Sequence, residues 1–138
     1  MHYKQIIYCS RNAERMLHAQ VHELVEQART HNATNGVTGI LVFNSQYFLQ
    51  VIEGMPDAVD ALYERIQRDA RHAQVQTIIE QHTGTKHWQS WSMGLVVCNT
   101  SNEAVFLRHF GAKMFDPYAI NAQQSESFLS DISICLLD

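Results

Sequence analysis

The feature that most constrains this chain is a switch in apolar periodicity, between two residues and about 3.6, repeated in a fixed order. Residues 3–10, YKQIIYCS, are β-branched and aromatic, and alternation puts Ile6 and Tyr8 on one face with Ile7 and Cys9 on the other. From 16 to 31, Leu17, Val21, Leu24, Val25 and Ala28 recur at helical spacing, while His18, Glu23 and Gln27 take the far side. The helix stops at Asn35-Gly36, where glycine adopts positive φ without a Cβ clash, and Asn32, placed just past the end of the periodic stretch, reads as a cap or turn residue. Val37–Phe43 and Tyr47–Glu53 then read as strands joined through Asn44-Ser45-Gln46. Pro56 and Asp57 suit the first turn of a second helix, with Val59, Leu62 and Ile66 on one face and RDARH at 68–72 closing it. Two more strand segments, Val75–His82 and Trp91–Val97, flank a polar loop containing Gly84.

This order, β-α-β-β-α-β plus one further strand, predicts an α+β, ferredoxin-like fold in which a mixed sheet carries two helices on one face. The last third changes character. Thr100 and Glu103 have capping-box spacing ahead of Val105, Phe106 and Leu107, with a stop at Gly111; Asn121 and Gln124 repeat that spacing before Phe128, Leu129, Ile132, Cys135 and Leu136. Two C-terminal helices are expected, either covering the other face of the sheet or meeting a partner. With 138 residues the chain has room for one domain, and 46% hydrophobic residues suffice for a core without disulfides or a structural metal.

Several functions are disfavoured. A formal net charge of −4 with no block of Lys or Arg offers little field for nucleic acid. Apolar runs such as ILVF at 40–43 are far shorter than the ~20 residues of a membrane span. The first residues lack a secretory pattern, so a cytoplasmic location is expected. Cys9, Cys98 and Cys135 are odd in number and lack a C-x-x-C pair, which argues against a disulfide framework or zinc ribbon. No P-loop, G-x-G-x-x-G, G-x-S-x-G or nucleophile–base constellation is present.

The polar residues within strands are more informative. Gln50 shares a strand face with Phe48 and Ile52, so it is a core amide bonded to backbone, a solvent-facing position, or a ligand contact. Tyr8 beside Ile6 is equally open. Trp91 and Met93 share a face of the last strand and read as core residues. Arg65, Arg68 and Arg71 around Asp69 suit a solvated helix C-terminus, with a phosphate site as the other reading. His18 and His22, at i and i+4, lack a third metal ligand and read as a surface pair.

Taken together, IIYCS at 6–10, HNATNGVTGIL at 31–41, FLQVIEG at 48–54, IQRDARH at 66–72 and WSM at 91–93 resemble the BLUF family of flavin-based blue-light sensors, over about residues 1–97 in order. The resemblance implies a flavin, FAD with FMN as the alternative, inserted between the two helices with Leu24 and Ile66 against its ring faces. It implies that Asn32 holds the carbonyl edge of the ring and that Gln50 bridges the flavin and Tyr8. It places Asp69 and Arg71 near the ring's polar edge and Arg65 near the phosphate. His31 stands where the family has His or Asn, and Met93 near the flavin.

The mechanism so implied has the excited flavin take an electron from Tyr8 while Gln50 relays the proton. Recombination then leaves Gln50 rotated or tautomerised, with the absorption shifted slightly red. Trp91 and Met93 would pass this change into the last strand. On this reading residues 1–97 are the sensor and 98–138 a helical output or capping extension, acting through a signalling partner or other copies of the chain. It is not itself an enzyme, and contacts neither nucleic acid nor membrane. The alternatives are an acylphosphatase-like hydrolase using Arg65 and Asn32, and a metal-responsive module built on His18 and His22.

Overall fold

The computed structural model describes residues 2–88, 92–111 and 115–136. Strand β1 (Tyr3–Asn12) leads through helix α1 (His18–Asn35) to β2 (Thr38–Phe43), β3 (Tyr47–Gly54), helix α2 (Pro56–Arg68), β4 (His72–Thr83) and β5 (Gly94–Val97). The sheet order is β4-β1-β3-β2-β5. Since β1 and β2 both run antiparallel to β3, they are parallel to each other with β3 between them. The same holds for β3 and β4 about β1. These two split β-α-β units are the expected ferredoxin-like arrangement, and β5 extends the sheet by pairing parallel with β2.

Alternation along β1 divides the core as expected. Ile6 and Tyr8 join Phe48 and Ile52 beneath α1 and α2, whose Val21, Val25, Val59 and Leu62 cover that face. Ile7 and Cys9 join Ile40, Val42, Leu49 and Val51 on the opposite face. Close approach of β2 to β3 requires Gly39, because a Cβ there would run into the Val51 carbonyl oxygen.

Helices α3 (Glu103–Phe110) and α4 (Ala122–Ser133) cover the second face. Phe128 lies 5.2 Å from Phe106 and 4.7 Å from Phe110, ring centre to ring centre, in an aromatic cluster over the sheet. Asn121 and Gln124 form the expected capping box, each side chain bonding the other's backbone N–H at 2.8 and 2.9 Å. Tyr118, in a 3-10 turn between these helices, donates to the Gln74 carbonyl at 2.7 Å and ties the cover to β4.

Helix α1 stops at Asn35-Gly36 as expected, its first left-handed residue being Gly36 at φ 69°, so Asn32 sits inside the final turns and not, as read from the sequence, just past the helix end. Three boundaries differ from expectation. The β4 strand starts at His72, ahead of the expected Val75. The last strand is only Gly94–Val97; Ser92 and Met93 form a bend before it, and Trp91 lies outside the described residues. The cap of α3 is Asn102, not Thr100, and its side chain accepts from Asn99 N at 2.8 Å and donates to Val97 O at 3.1 Å.

Candidate functional site

A cavity of about 170 Å³ opens between α1 and α2 above the sheet. The amphipathic faces of the two helices supply its apolar walls, with Leu24 and Ala28 from α1 and Leu62 and Ile66 from α2. Leu41 and Gln50 on adjacent strands β2 and β3 line it from the sheet, Met93 from the bend before β5, Asp69 and Arg71 from the turn after α2, and His72 from the start of β4. Of the ten residues assigned to flavin by resemblance, nine line this one cavity; Tyr8 stands behind Gln50.

The most unusual arrangement is at Gln50, which is only 6% exposed. Its position opposite Tyr8 in the β1–β3 register puts both side chains on one face. The fully buried Tyr8 hydroxyl donates to Gln50 Oε1, and Gln50 Nε2 is 3.2 Å from Met93 Sδ. One amide therefore joins a phenol, a thioether and the cavity, which excludes a solvent-facing role for Gln50. Burial pushes the Tyr8 hydroxyl well above its ordinary pKa and keeps it a neutral donor.

Asn32 is 1% exposed. Its Nδ2 donates to the Ser92 carbonyl at 2.8 Å, while its buried Oδ1 has no partner among the described residues. Leaving a buried acceptor unpaired costs about 1–3 kcal/mol, so this oxygen is prepared for a donor from the cavity. The adjoining bend is held at a second point by Arg29 Nε, which donates to Met93 O at 2.8 Å.

The exposed rim carries charge. Arg65 Nη1 lies 2.6 Å from His31 Nε2, a bond between α2 and α1. Burial, and secondarily Arg65, lowers the His31 pKa, consistent with a neutral imidazole accepting from the guanidinium. Arg71 forks onto Asp69, with Nε–Oδ1 at 2.9 Å and Nη2–Oδ2 at 2.5 Å. That bonding holds the Asp69 carboxyl below its usual range.

Sequence reasoning missed two residues here as individuals. His72, the last residue of the IQRDARH stretch, lines the cavity with Nδ1 2.8 Å from Ser10 Oγ. Burial pushes its pKa down to about 4. Tyr63 packs its ring 5.2 Å from that of Tyr8, and its spacing from Val59 on the α2 face was the available signal. Elsewhere, His18 lies edge-on against Phe43 at 5.7 Å, and among the described residues no three His, Cys, Asp or Glu side chains gather as metal ligands.

Residues 3–94, more than half of the chain, match the sequence profile of the family described as "BLUF: Sensors of blue-light using FAD". The chain belongs to the BLUF family. BLUF domains bind a flavin and serve as blue-light sensors in signal transduction. The fold agrees: the solved structure titled "BlsA photo-activated state" superposes with a TM-score of 0.84 at 30% identity, covering 96% of this chain and 95% of that one. Klebsiella pneumoniae BlrP1, solved with FMN and cyclic diGMP, aligns at 29% identity and a TM-score of 0.64 over 69% of this chain and 26% of that one. The blue light- and temperature-regulated antirepressor BluF of Escherichia coli (strain K12) is 30% identical over 76 residues, which is 55% of this chain. The aligned part spans only 19% of that antirepressor. Among the described residues of this BLUF protein, no helix is long and apolar enough to cross a membrane.

Proposed function

We propose that this chain senses blue light through a flavin whose ring lies in the cavity between α1 and α2, and that the Tyr8–Gln50 pair converts absorption into a change of hydrogen bonding. The observation carrying this reading is the buried amide of Gln50, shared between the Tyr8 hydroxyl and the cavity. The residues suit such a guest. Leu24 and Ile66 offer apolar surface to its faces, and the unpaired Asn32 Oδ1 accepts from an imide N–H on its carbonyl-bearing edge. Asp69, Arg71 and His31, which line the cavity, would border its polar side, and Arg65 at the exposed rim would meet its phosphate end. FAD is the favoured form and FMN the alternative.

When bound and excited by blue light, a flavin supplies a strong one-electron oxidant. Tyr8 would give up an electron and its proton, with Gln50 the group through which the proton moves, and both would return to Tyr8, so that the only lasting change is the rearranged Gln50 amide. Gln50 now presents oxygen to Tyr8 and nitrogen to Met93 sulfur. Rotation of the amide would face its NH₂ to the Tyr8 oxygen and its carbonyl to the sulfur, replacing a weak attraction by repulsion. Tautomerisation would likewise alter which atoms donate. Either change gives two states of a buried polar group, the kind of element that biases a conformational equilibrium.

Met93 stands immediately before β5, and Asn102, the cap of α3, bonds the carbonyl of β5 residue Val97. The proposed output runs along this path, with Trp91 as a second relay residue, into the helices of 98–138. Residues 1–97 then form the sensor and 98–138 its output and cover. The signal leaves by contact with a partner protein or further copies of the chain, in the cytoplasm, without enzymatic activity and without binding nucleic acid or membrane. The test is an absorption spectrum of purified protein before and after blue light. A bound flavin and a reversible red shift are expected, while phosphatase activity without light dependence would favour the hydrolase reading of Arg65 and Asn32.

A further inference from the structure

Tyr8 has a second close neighbour outside the cavity lining. Tyr63 of α2 packs its ring 5.2 Å from the Tyr8 ring at a tilt of 49°. Tyr8 is fully buried and Tyr63 is 8% exposed, so each phenol shields the other from water. Their hydroxyls go to different places. Tyr8 donates to Gln50, whereas the Tyr63 hydroxyl lies 2.6 Å from Thr77 Oγ1 on β4. Thr77 is the residue opposite Tyr8 in the β1–β4 pairing, at a register shift between Ile7 and Tyr8. That register puts Thr77 on the face covered by α2.

We propose that Tyr63, anchored by Thr77, is a positioning residue for the light reaction: its ring holds that of Tyr8, and its engaged hydroxyl leaves Gln50 as the one side-chain hydrogen-bond partner of the Tyr8 hydroxyl among the described residues. This rests on the proposed roles of Tyr8 and Gln50. A phenol can donate one hydrogen bond and also accept. A hydroxyl on a largely buried ring, released from its anchor, turns to whatever polar group or water it can reach. Because the Tyr63 ring packs 5.2 Å from that of Tyr8, a released hydroxyl would count the Tyr8–Gln50 pair among those groups. A competing partner there would stabilise intermediate arrangements of the amide and lower the barrier between its two states. Fixing the Tyr63 hydroxyl to Thr77 removes the competitor and keeps the ring as packing. Neither Tyr63 nor Thr77 lines the cavity, so flavin binding is expected to be unaffected by changes at either.

The experiment compares flavin-loaded wild type with Thr77→Val, Tyr63→Phe and the double variant, measuring flavin content, the red shift under steady blue light and the dark recovery rate. Thr77 is exposed, so its substitution leaves the core intact. Thr77→Val frees the Tyr63 hydroxyl and should speed recovery about fivefold, the factor corresponding to one ordinary hydrogen bond. Tyr63→Phe keeps the ring and has no hydroxyl to misdirect, so recovery should stay within about twofold of wild type. The double variant should return to that same range, a rescue that simple loss of structure does not produce. Unchanged recovery in Thr77→Val, or a double variant as fast as Thr77→Val alone, would overturn the assignment. Absence of any light-induced shift in the flavin-loaded wild type would overturn the Tyr8–Gln50 reading and this one with it.

Discussion

Replacing Asn32 with alanine separates a binding role from a structural one, because the two polar atoms of this side chain have opposite fates. Nδ2 is satisfied by Ser92 O at 2.8 Å, and its removal costs about 1 kcal/mol of stability. Oδ1 is buried without a partner among the described residues, and removing it relieves a penalty of about 1–3 kcal/mol in the flavin-free protein. The two nearly offset, so the flavin-free variant should melt within a few degrees of wild type. In the loaded protein the same oxygen accepts a hydrogen bond, and its loss should weaken flavin binding by about 1–3 kcal/mol, or roughly 5- to 150-fold. Titration of flavin-free protein with FAD and FMN, followed by quenching of flavin fluorescence, measures the second quantity; calorimetry measures the first. Affinity unchanged within about twofold would refute the role of the unpaired oxygen. Melting lowered as far as by a large core truncation would refute the offset.

Three further outcomes are expected. The His72 pKa falls from an ordinary value near 6.5 to about 4 on folding, so below pH 6.5 the unfolded chain binds a proton that the folded chain refuses. Stability should therefore decline as pH falls from about 6.5 to 4, by up to roughly 3 kcal/mol from this residue, and His72→Gln should flatten that part of a denaturation-against-pH curve. Phe128→Ala removes a fully buried ring from the aromatic cluster and should cost about 3–5 kcal/mol, lowering the melting temperature by on the order of 10–15 °C. Asn121→Ala breaks the capping box of α4 at an exposed site and should cost about 1 kcal/mol in chemical denaturation.

What could be read from the chain follows from what each pattern measures. Alternation in IIYCS separated Tyr8 from Cys9 correctly, because both faces of β1 are packed and a one-residue slip would exchange them. The hairpin and the start of α2 were visible in turn chemistry and in Pro56. Helix α1 ran beyond its apolar stripe because its last turns are polar; only the left-handed Gly36 stops it, and that placed Asn32 inside the helix. The cap of α3 moved from Thr100 to Asn102 because the Asn102 side chain bonds back to Asn99 N and to Val97 O at the end of β5, local bonds that the capping-box pattern does not encode. Periodicity put Gln50 and Tyr8 on a common side of the sheet, but their function came from resemblance. Their hydrogen bond depends on pairing of β1 with β3, forty-two residues away in sequence. His72 and Tyr63 were inconspicuous because a histidine after a charged turn and a tyrosine on a helix face are ordinary until the fold sets them beside Tyr8.

The central claim is that Tyr8 and Gln50 translate light absorbed by a bound flavin into a new hydrogen-bond arrangement. Difference absorption of the purified, flavin-loaded protein, recorded before and during blue illumination for wild type and Tyr8→Phe, tests it most directly. The expected result is a red shift that reverses in the dark in wild type and is absent in Tyr8→Phe, with flavin content equal in both. A wild-type protein without the shift, or a Tyr8→Phe protein that retains it, would contradict the account.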